Sequence, residues 1–124
     1  MVDIEVANRS GATLDLDAAG ELIRTVLRDE GIEEGELGLQ LVSAEEIRAL
    51  KRDHLGIDEE TDALAFPIDG RHPVPEGVPR QLGDVVLCPQ VVGDGWRGPL
   101  VHAVLHLVGY DHGAEMEARE RTHA

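Results

Sequence analysis

The sequence predicts an α+β domain in which helices pack on a mixed sheet of about four strands. Alternating apolar and polar residues mark strands, whereas apolar residues three and four positions apart mark the helices between them. These segments follow the order strand, helix, strand, helix, two strands and then helices. The first two strands flank a helix and are therefore expected to be parallel. Residues 1–124 have the length of a single domain.

Four segments are predicted to be strands. Residues 2–6 and 37–42 alternate between apolar and polar side chains, which is typical of a half-exposed strand. Residues 61–66 and 82–88 are short apolar segments, and a proline directly follows each of them. Residues 68–81 contain three prolines and two glycines, which predicts a loop between the last two strands.

The helices are predicted from apolar spacing and from residues typical of helix ends. Apolar side chains recur at helical spacing over residues 16–27. Ser43 and Glu46 form a capping box, which predicts a second helix that ends near Gly56. A third helix is predicted over residues 100–108, after an irregular glycine-rich connector. The polar segment after it is a candidate for a last helix.

The composition indicates an acidic protein of a reducing compartment. The chain holds 25 Asp and Glu against 11 Lys and Arg, a formal net charge of −14, and 42% of its residues are hydrophobic. A single cysteine excludes a disulfide framework. No apolar segment is long enough for a membrane span, and the first residues lack the pattern of a signal peptide. We therefore expect a cytoplasmic protein that does not associate with membranes.

The negative charge disfavours sequence-independent binding to nucleic acid, since such binding depends on clustered Lys and Arg. The charge is uneven, because residues 80–124 hold only six acidic against four basic side chains, together with four of the six histidines. A bound divalent cation would bring this part of the chain close to neutrality. No DNA partner is expected, whereas contact with RNA at one local site remains compatible with the charge.

The motif that carries chemistry is VHAVLHLVGYDH, residues 101–112. His102 and His106 are four residues apart on a predicted helix, so both imidazoles lie on one face and can reach one ion. Gly109 allows the chain to reverse, and His112 is placed to return to the same ion. Three histidines leave a fourth position for water, whose pKa a zinc ion lowers toward ~7. We therefore predict one Zn²⁺ per chain, with these three histidines as metal ligands and catalytic residues.

The same histidine spacing occurs in metzincin proteases, which carry a glutamate directly after the first histidine as general base. Here that position is Ala103, which cannot accept a proton. Asp111 adjoins the third histidine and is interpreted as a hydrogen-bonding partner of a ligand or as a turn residue. The motif therefore disfavours a metzincin-type peptidase.

Three segments together resemble the YbeY family of bacterial rRNA-maturation endoribonucleases. The three zinc histidines of that family match His102, His106 and His112. Its strand signature LGD-x-x-x-C matches residues 82–88, and its PT(D/N)VLSFP segment is similar to residues 61–67. The three segments occur in the order found in the family, and the resemblance spans roughly residues 37–120.

The resemblance implies a zincin-like three-layer fold and one zinc ion. It also implies a cytoplasmic, single-strand-specific endoribonuclease in rRNA 3′-end maturation and ribosome quality control. The implied partners are ribosomal RNA and the small ribosomal subunit. A zinc-activated water that is already ionised can attack a phosphodiester without a protein base, so the motif is compatible with this chemistry.

The chain departs from the family pattern at a position that bears on catalysis. Leu55 stands where the family has an arginine, and Ala65 replaces the serine of LSFP. An arginine could clamp the scissile phosphate with two hydrogen bonds, which leucine cannot do. Arg52 or Arg97 could fill the role instead.

Two alternatives to an rRNA endoribonuclease therefore stay open. One is a metal-dependent hydrolase of another substrate, of which the peptidase version is disfavoured by Ala103. The other is a ribosome-associated module whose zinc is structural and whose catalysis is weakened, which Leu55 favours.

Overall fold

A computed structural model describes residues 1–58, 61–111 and 113–123, and its elements follow the predicted order. The strands are β1 (Val2–Asn8), β2 (Gly35–Leu41), β3 (Ala63–Pro67) and β4 (Gln81–Leu87). The helices are α1 (Leu16–Asp29), α2 (Ala44–Leu55), α3 (Pro89–Val92), α4 (Arg97–Leu107) and α5 (Ala114–His123), with a 3₁₀ turn at Gly93–Gly95.

The four strands form one mixed sheet in the order β1-β2-β4-β3. β1 and β2 are parallel, as predicted from the helix between them, and β2 also pairs with β4 in parallel. β3 runs antiparallel to β4 and lies at the edge of the sheet. The predicted α+β fold with a mixed four-stranded sheet is therefore confirmed.

Helices cover both faces of the sheet and make three layers. Successive residues of β4 point to opposite faces, since side chains alternate along a strand. Val85 and Leu87 join the larger core, which includes α1 and α4, whereas Val86 belongs to a smaller core with Ile47 of α2. The larger core buries a continuous set of aliphatic side chains on the face of the sheet that supports α4. In the described part of the chain, no helix is long and apolar enough to span a membrane.

The segment before α4 is more ordered than the sequence predicts. In place of an irregular connector, it contains α3 and a 3₁₀ turn, and α4 begins three residues earlier than expected. Trp96 is buried in the larger core, and the Arg97 guanidinium lies 4.3 Å from the centre of its ring. Pro99 is compatible with this start, because the first amides of a helix have no intrahelical acceptor. Burial of Trp96 thus offsets the low helix propensity of the surrounding glycines.

α5 packs through one apolar side chain and several polar contacts. Met116 is its one buried residue. Arg119 donates to Glu30, just after α1, and the His123 Nδ1 atom lies 3.7 Å from an Asp29 carboxylate oxygen. These contacts hold α5 beside the end of α1.

Candidate active site

The helix α4 brings two of the three predicted metal ligands together. The Nε2 atoms of His102 and His106 are 3.1 Å apart, and the two rings are nearly perpendicular. His112 lies outside the described residues, so its predicted role as third ligand stays a prediction. Among residues 1–58, 61–111 and 113–123, no three His, Cys, Asp or Glu side chains form a group that could hold a metal.

An oxygen atom lies beside the outer nitrogen of each ring. The His106 Nδ1 atom lies 2.8 Å from the Tyr110 carbonyl oxygen, which can only accept, so Nδ1 carries the proton. The His102 Nδ1 atom lies 3.3 Å from Glu120 Oε1, and a carboxylate also accepts. The Nδ1 proton of His106 therefore points outward, and its Nε2 atom faces the Nε2 atom of His102.

This arrangement fits a zinc ion. The Nε2 atoms of the two histidines converge at 3.1 Å, so one ion can contact both. Two ligands of a tetrahedral zinc, each ~2.0–2.1 Å from the ion, are about 3.3 Å apart. The donor set, two imidazoles with oxygen atoms beside their outer nitrogens, is also that of protein zinc sites.

The end of α4 places the Tyr110 carbonyl behind His106. Gly109 has a φ of 101°, a conformation that favours glycine. The Tyr110 amide donates to the Leu105 carbonyl and the Gly109 amide to the His106 carbonyl, which is a Schellman motif. The chain reversal predicted at Gly109 is therefore confirmed, and it turns the Tyr110 backbone toward the His106 ring.

The buried carboxylate of Glu30 stabilises this turn at the end of α4. The Glu30 side chain is 2% exposed and accepts from Arg71 at 2.8 Å, from Arg119 at 2.7 Å and from the Tyr110 hydroxyl. Arg71 also donates to the Val108 carbonyl at 2.9 Å, so it joins α1 to the end of α4. The Glu30 group (Glu30, Arg71, Tyr110 and Arg119) therefore connects the end of α1 to the turn that contains Tyr110 and to α5, which contains Glu120.

The charges in the Glu30 group keep its carboxylate ionised. Burial raises the pKa of Glu30, but the hydrogen bonds from Tyr110 and Arg119 and the charges of both arginines bring it below its ordinary value. The pKa of Tyr110 is raised, chiefly because its hydroxyl donates to this carboxylate. Glu30 is thus negatively charged at neutral pH.

The histidine pair lies in an open cleft of about 1450 Å³. Small-molecule sites are typically roughly 300–1,000 Å³, so the cleft has room for a segment of a polymer. Its walls come from the end of α2, from β3, from the loop after β3 and from residues 109–111 and 113–115. In the described part of the chain, Lys51 and Arg71 supply the Lys and Arg side chains of these walls.

Leu55 lines this cleft, where the resemblance places an arginine, and it is 56% exposed. Neither of the two arginines considered as substitutes lines the cleft. Arg52 pairs with Asp53 at 3.2 Å, and Arg97 stacks on Trp96. Lys51, one helical turn before Leu55, is the cation that the sequence analysis missed on this face of α2.

The outer nitrogens of His102 and His106 have neighbours to which the sequence analysis assigns no role, and the interpretation of Asp111 stays a prediction, because the adjoining His112 lies outside the described residues. Glu120 and the Tyr110 backbone contact the two Nδ1 atoms, whereas Asp111 is an exposed residue of the cleft wall. Glu120 follows Met116 by four residues, so both lie on one face of α5. The signal in the sequence that could have identified Glu120 is this spacing of an apolar and an acidic residue within a polar segment.

Comparisons with known proteins identify related proteins over most of the chain. The family model described as Endoribonuclease YbeY matches residues 5–95. Endoribonuclease YbeY of Salinispora tropica is 37% identical over 139 residues, which cover 96% of this chain and 88% of that protein. Endoribonuclease YbeY of Chloroflexus aurantiacus is 37% identical over 136 residues, with the same two coverages.

A solved structure shows the same fold. The solution structure of TM1509 from Thermotoga maritima superposes with a TM-score of 0.59 at 28% sequence identity, covering 99% of this chain and 86% of that one. The family match extends over more than half of the chain, and the relatives cover nearly all of it. The chain therefore belongs to the endoribonuclease YbeY family.

Proposed function

We propose that this protein is a zinc-dependent, single-strand-specific endoribonuclease that acts in rRNA 3′-end maturation and ribosome quality control. The observation that carries the proposal is the pair of converging Nε2 atoms of His102 and His106 in an open cleft. Family membership supports the ribonuclease chemistry, because the similar proteins are named endoribonucleases. His112 completes the proposed ligand set.

Each residue of the site has a defined part in this proposal. When bound, zinc would supply a Lewis acid for the phosphate and a nucleophile at neutral pH. His102 and His106 would bind it through Nε2, while the Tyr110 carbonyl accepts the Nδ1 proton of His106 and Glu120 Oε1 lies 3.3 Å from His102 Nδ1. Lys51 offers a positive charge to the RNA backbone at the cleft wall.

The proposed substrate and partner follow from the family resemblance. Ribosomal RNA and the small ribosomal subunit are the proposed targets, and the cytoplasm is the proposed location. The overall charge of −14 disfavours RNA binding over a broad surface of the protein. The proposed contact with RNA is therefore confined to this cleft.

One observation favours a second candidate function. Leu55 lies in the cleft wall and cannot donate to a phosphate, which favours a ribosome-associated zinc-binding module with weakened catalysis. By contrast, Ala103 is buried and has no acid–base group, which disfavours a peptidase.

Purified protein of known zinc content tests these candidates. We expect about one zinc per chain and cleavage of single-stranded fragments from the 3′ region of small-subunit rRNA. A chelator should abolish the cleavage and added zinc should restore it, while duplex RNA and casein stay intact. Zinc-loaded protein that sediments with ribosomes but leaves every RNA uncut would support the weakened module instead.

Leu55→Arg is expected to raise the rate of RNA cleavage by up to about a hundredfold without changing the zinc content. Attack on a phosphodiester adds negative charge to its non-bridging oxygens, and preorganised donors to such oxygens contribute ~3 kcal/mol. Leu55 lines the cleft, so an arginine there can reach the bound phosphate. Single-turnover cleavage measures the effect.

Leu55→Gln is the control, because it adds polarity without charge and should give little gain. An inactive Lys51→Met variant beside an unimproved Leu55→Arg would show that Lys51 already performs this role. In that case the prediction that catalysis is limited by the absence of a cation at residue 55 is wrong.

A further inference from the structure

We propose that Glu120 is a positioning residue that orients His102 toward the metal, so that α5 forms part of the active site. This inference rests on the proposed zinc site. Its basis is the 3.3 Å separation between Glu120 Oε1 and His102 Nδ1, with both side chains about one third exposed. Neither the histidine motif nor the Asp111 interpretation includes this residue.

The position of Glu120 is set by the packing of α5. Met116, one turn earlier on the same face, is 1% exposed and belongs to the larger core. The neighbouring Arg119 donates to the buried Glu30 carboxylate at 2.7 Å. The buried Met116 side chain and the ion pair between Arg119 and Glu30 thus fix the part of α5 directly before Glu120. This limits how far the Glu120 carboxylate can move.

A carboxylate at this position has a specific effect on His102. At 3.3 Å it can accept the Nδ1 proton, which leaves the Nε2 lone pair available, and its negative charge makes that nitrogen a stronger ligand. Without this carboxylate, the His102 ring is less restrained and carries its proton on Nε2 more readily. The corresponding neighbour of His106 Nδ1 is a neutral backbone carbonyl, so the two rings differ in the charge of this neighbour.

The test compares Glu120→Ala with Glu117→Ala. Both substitutions remove one carboxylate from α5 and introduce a good helix former, but Glu117 is exposed. Zinc affinity is measured by competition with a chromophoric chelator, and the thermal midpoint is measured on the metal-free proteins. We expect Glu120→Ala to weaken zinc binding 10–100-fold relative to Glu117→Ala, at equal metal-free midpoints. Glu120→Gln keeps an acceptor oxygen without the charge and should lose less affinity than Glu120→Ala.

Three results would overturn the inference. Equal zinc affinity in Glu120→Ala and Glu117→Ala would show that Glu120 does not act on His102. A metal-free midpoint lowered in Glu120→Ala but not in Glu117→Ala would assign Glu120 to the docking of α5. A wild-type protein that binds no zinc would overturn both this inference and the proposed function, whereas the first two results leave the zinc site intact.

Discussion

His106→Ala is expected to remove most of the bound zinc and, with it, the cleavage of RNA. The variant lacks the Nε2 atom that lies 3.1 Å from that of His102. It also leaves the Tyr110 carbonyl without its imidazole donor. Loss of one of the three proposed protein ligands would leave too few nitrogens for a catalytic zinc site. Elemental analysis of the purified variant should fall from about one zinc per chain toward zero.

His72→Ala is the matched control for this experiment. His72 also lines the cleft, but it is exposed on the loop after β3 rather than on α4. Its replacement should leave the zinc content unchanged. Full zinc content in His106→Ala would contradict the ligand assignment, as would loss of zinc in His72→Ala. Zinc should also raise the thermal midpoint of the wild type but not of His106→Ala, because a ligand that binds only the folded chain stabilises it.

Glu30→Ala is expected to lower the free energy of unfolding by about 3 kcal/mol. Removing one partner of a buried ion pair typically costs ~3–5 kcal/mol, because the other charge is left without compensation. The lower end applies here, since the side chains of Arg71 and Arg119 are 47% and 32% exposed and can partly hydrate. Urea denaturation of the metal-free protein measures the loss.

Glu33→Ala serves as its control, because Glu33 is an exposed residue three positions further along. It should change the free energy of unfolding by less than about 0.5 kcal/mol. Equal effects of the two substitutions would show that the Glu30 group does not stabilise the fold.

The stability contributed by Glu30 should depend on pH in the acid range. Its pKa is lower in the folded chain than the ordinary value of ~4.3 expected when unfolded, so the ionised form stabilises the fold. That contribution is complete above pH ~4.3 and is lost as the pH falls through the lowered folded pKa. The stability difference between the wild type and Glu30→Gln should therefore shrink below pH about 4 in urea titrations. A difference that stays constant down to pH about 3 would contradict the lowered pKa.

The sequence predicts those features that local patterns encode. The alternation in β1 and β2, the capping box at Ser43 and the spacing of His102 and His106 all depend on neighbouring residues. The structure accordingly confirms the strands, the parallel first pair and the histidine pair. The Ser43 cap is also present, since the Ser43 hydroxyl accepts from the Glu46 amide at 3.1 Å, whereas the Glu46 carboxylate accepts from Arg9.

The features that sequence analysis misses arise from contacts between distant segments. Glu30 meets Arg71 and Arg119 across 41 and 89 positions of the chain, and no periodic pattern links them. The negative charge of Glu30 at the C-terminal end of α1 interacts unfavourably with the helix dipole. Local sequence patterns therefore do not predict a stabilising role for this residue. Glu120 is missed for the same reason, because its partner His102 lies on another helix.

The sparse apolar anchoring of α5 bears on the kinetics of metal exchange. A helix with one buried apolar side chain can open locally while the sheet and the other helices stay folded. Each such opening would carry Glu120 away from His102 and expose the imidazole to water. We therefore expect the off-rate of zinc to follow the opening rate of α5, so that metal release does not require global unfolding.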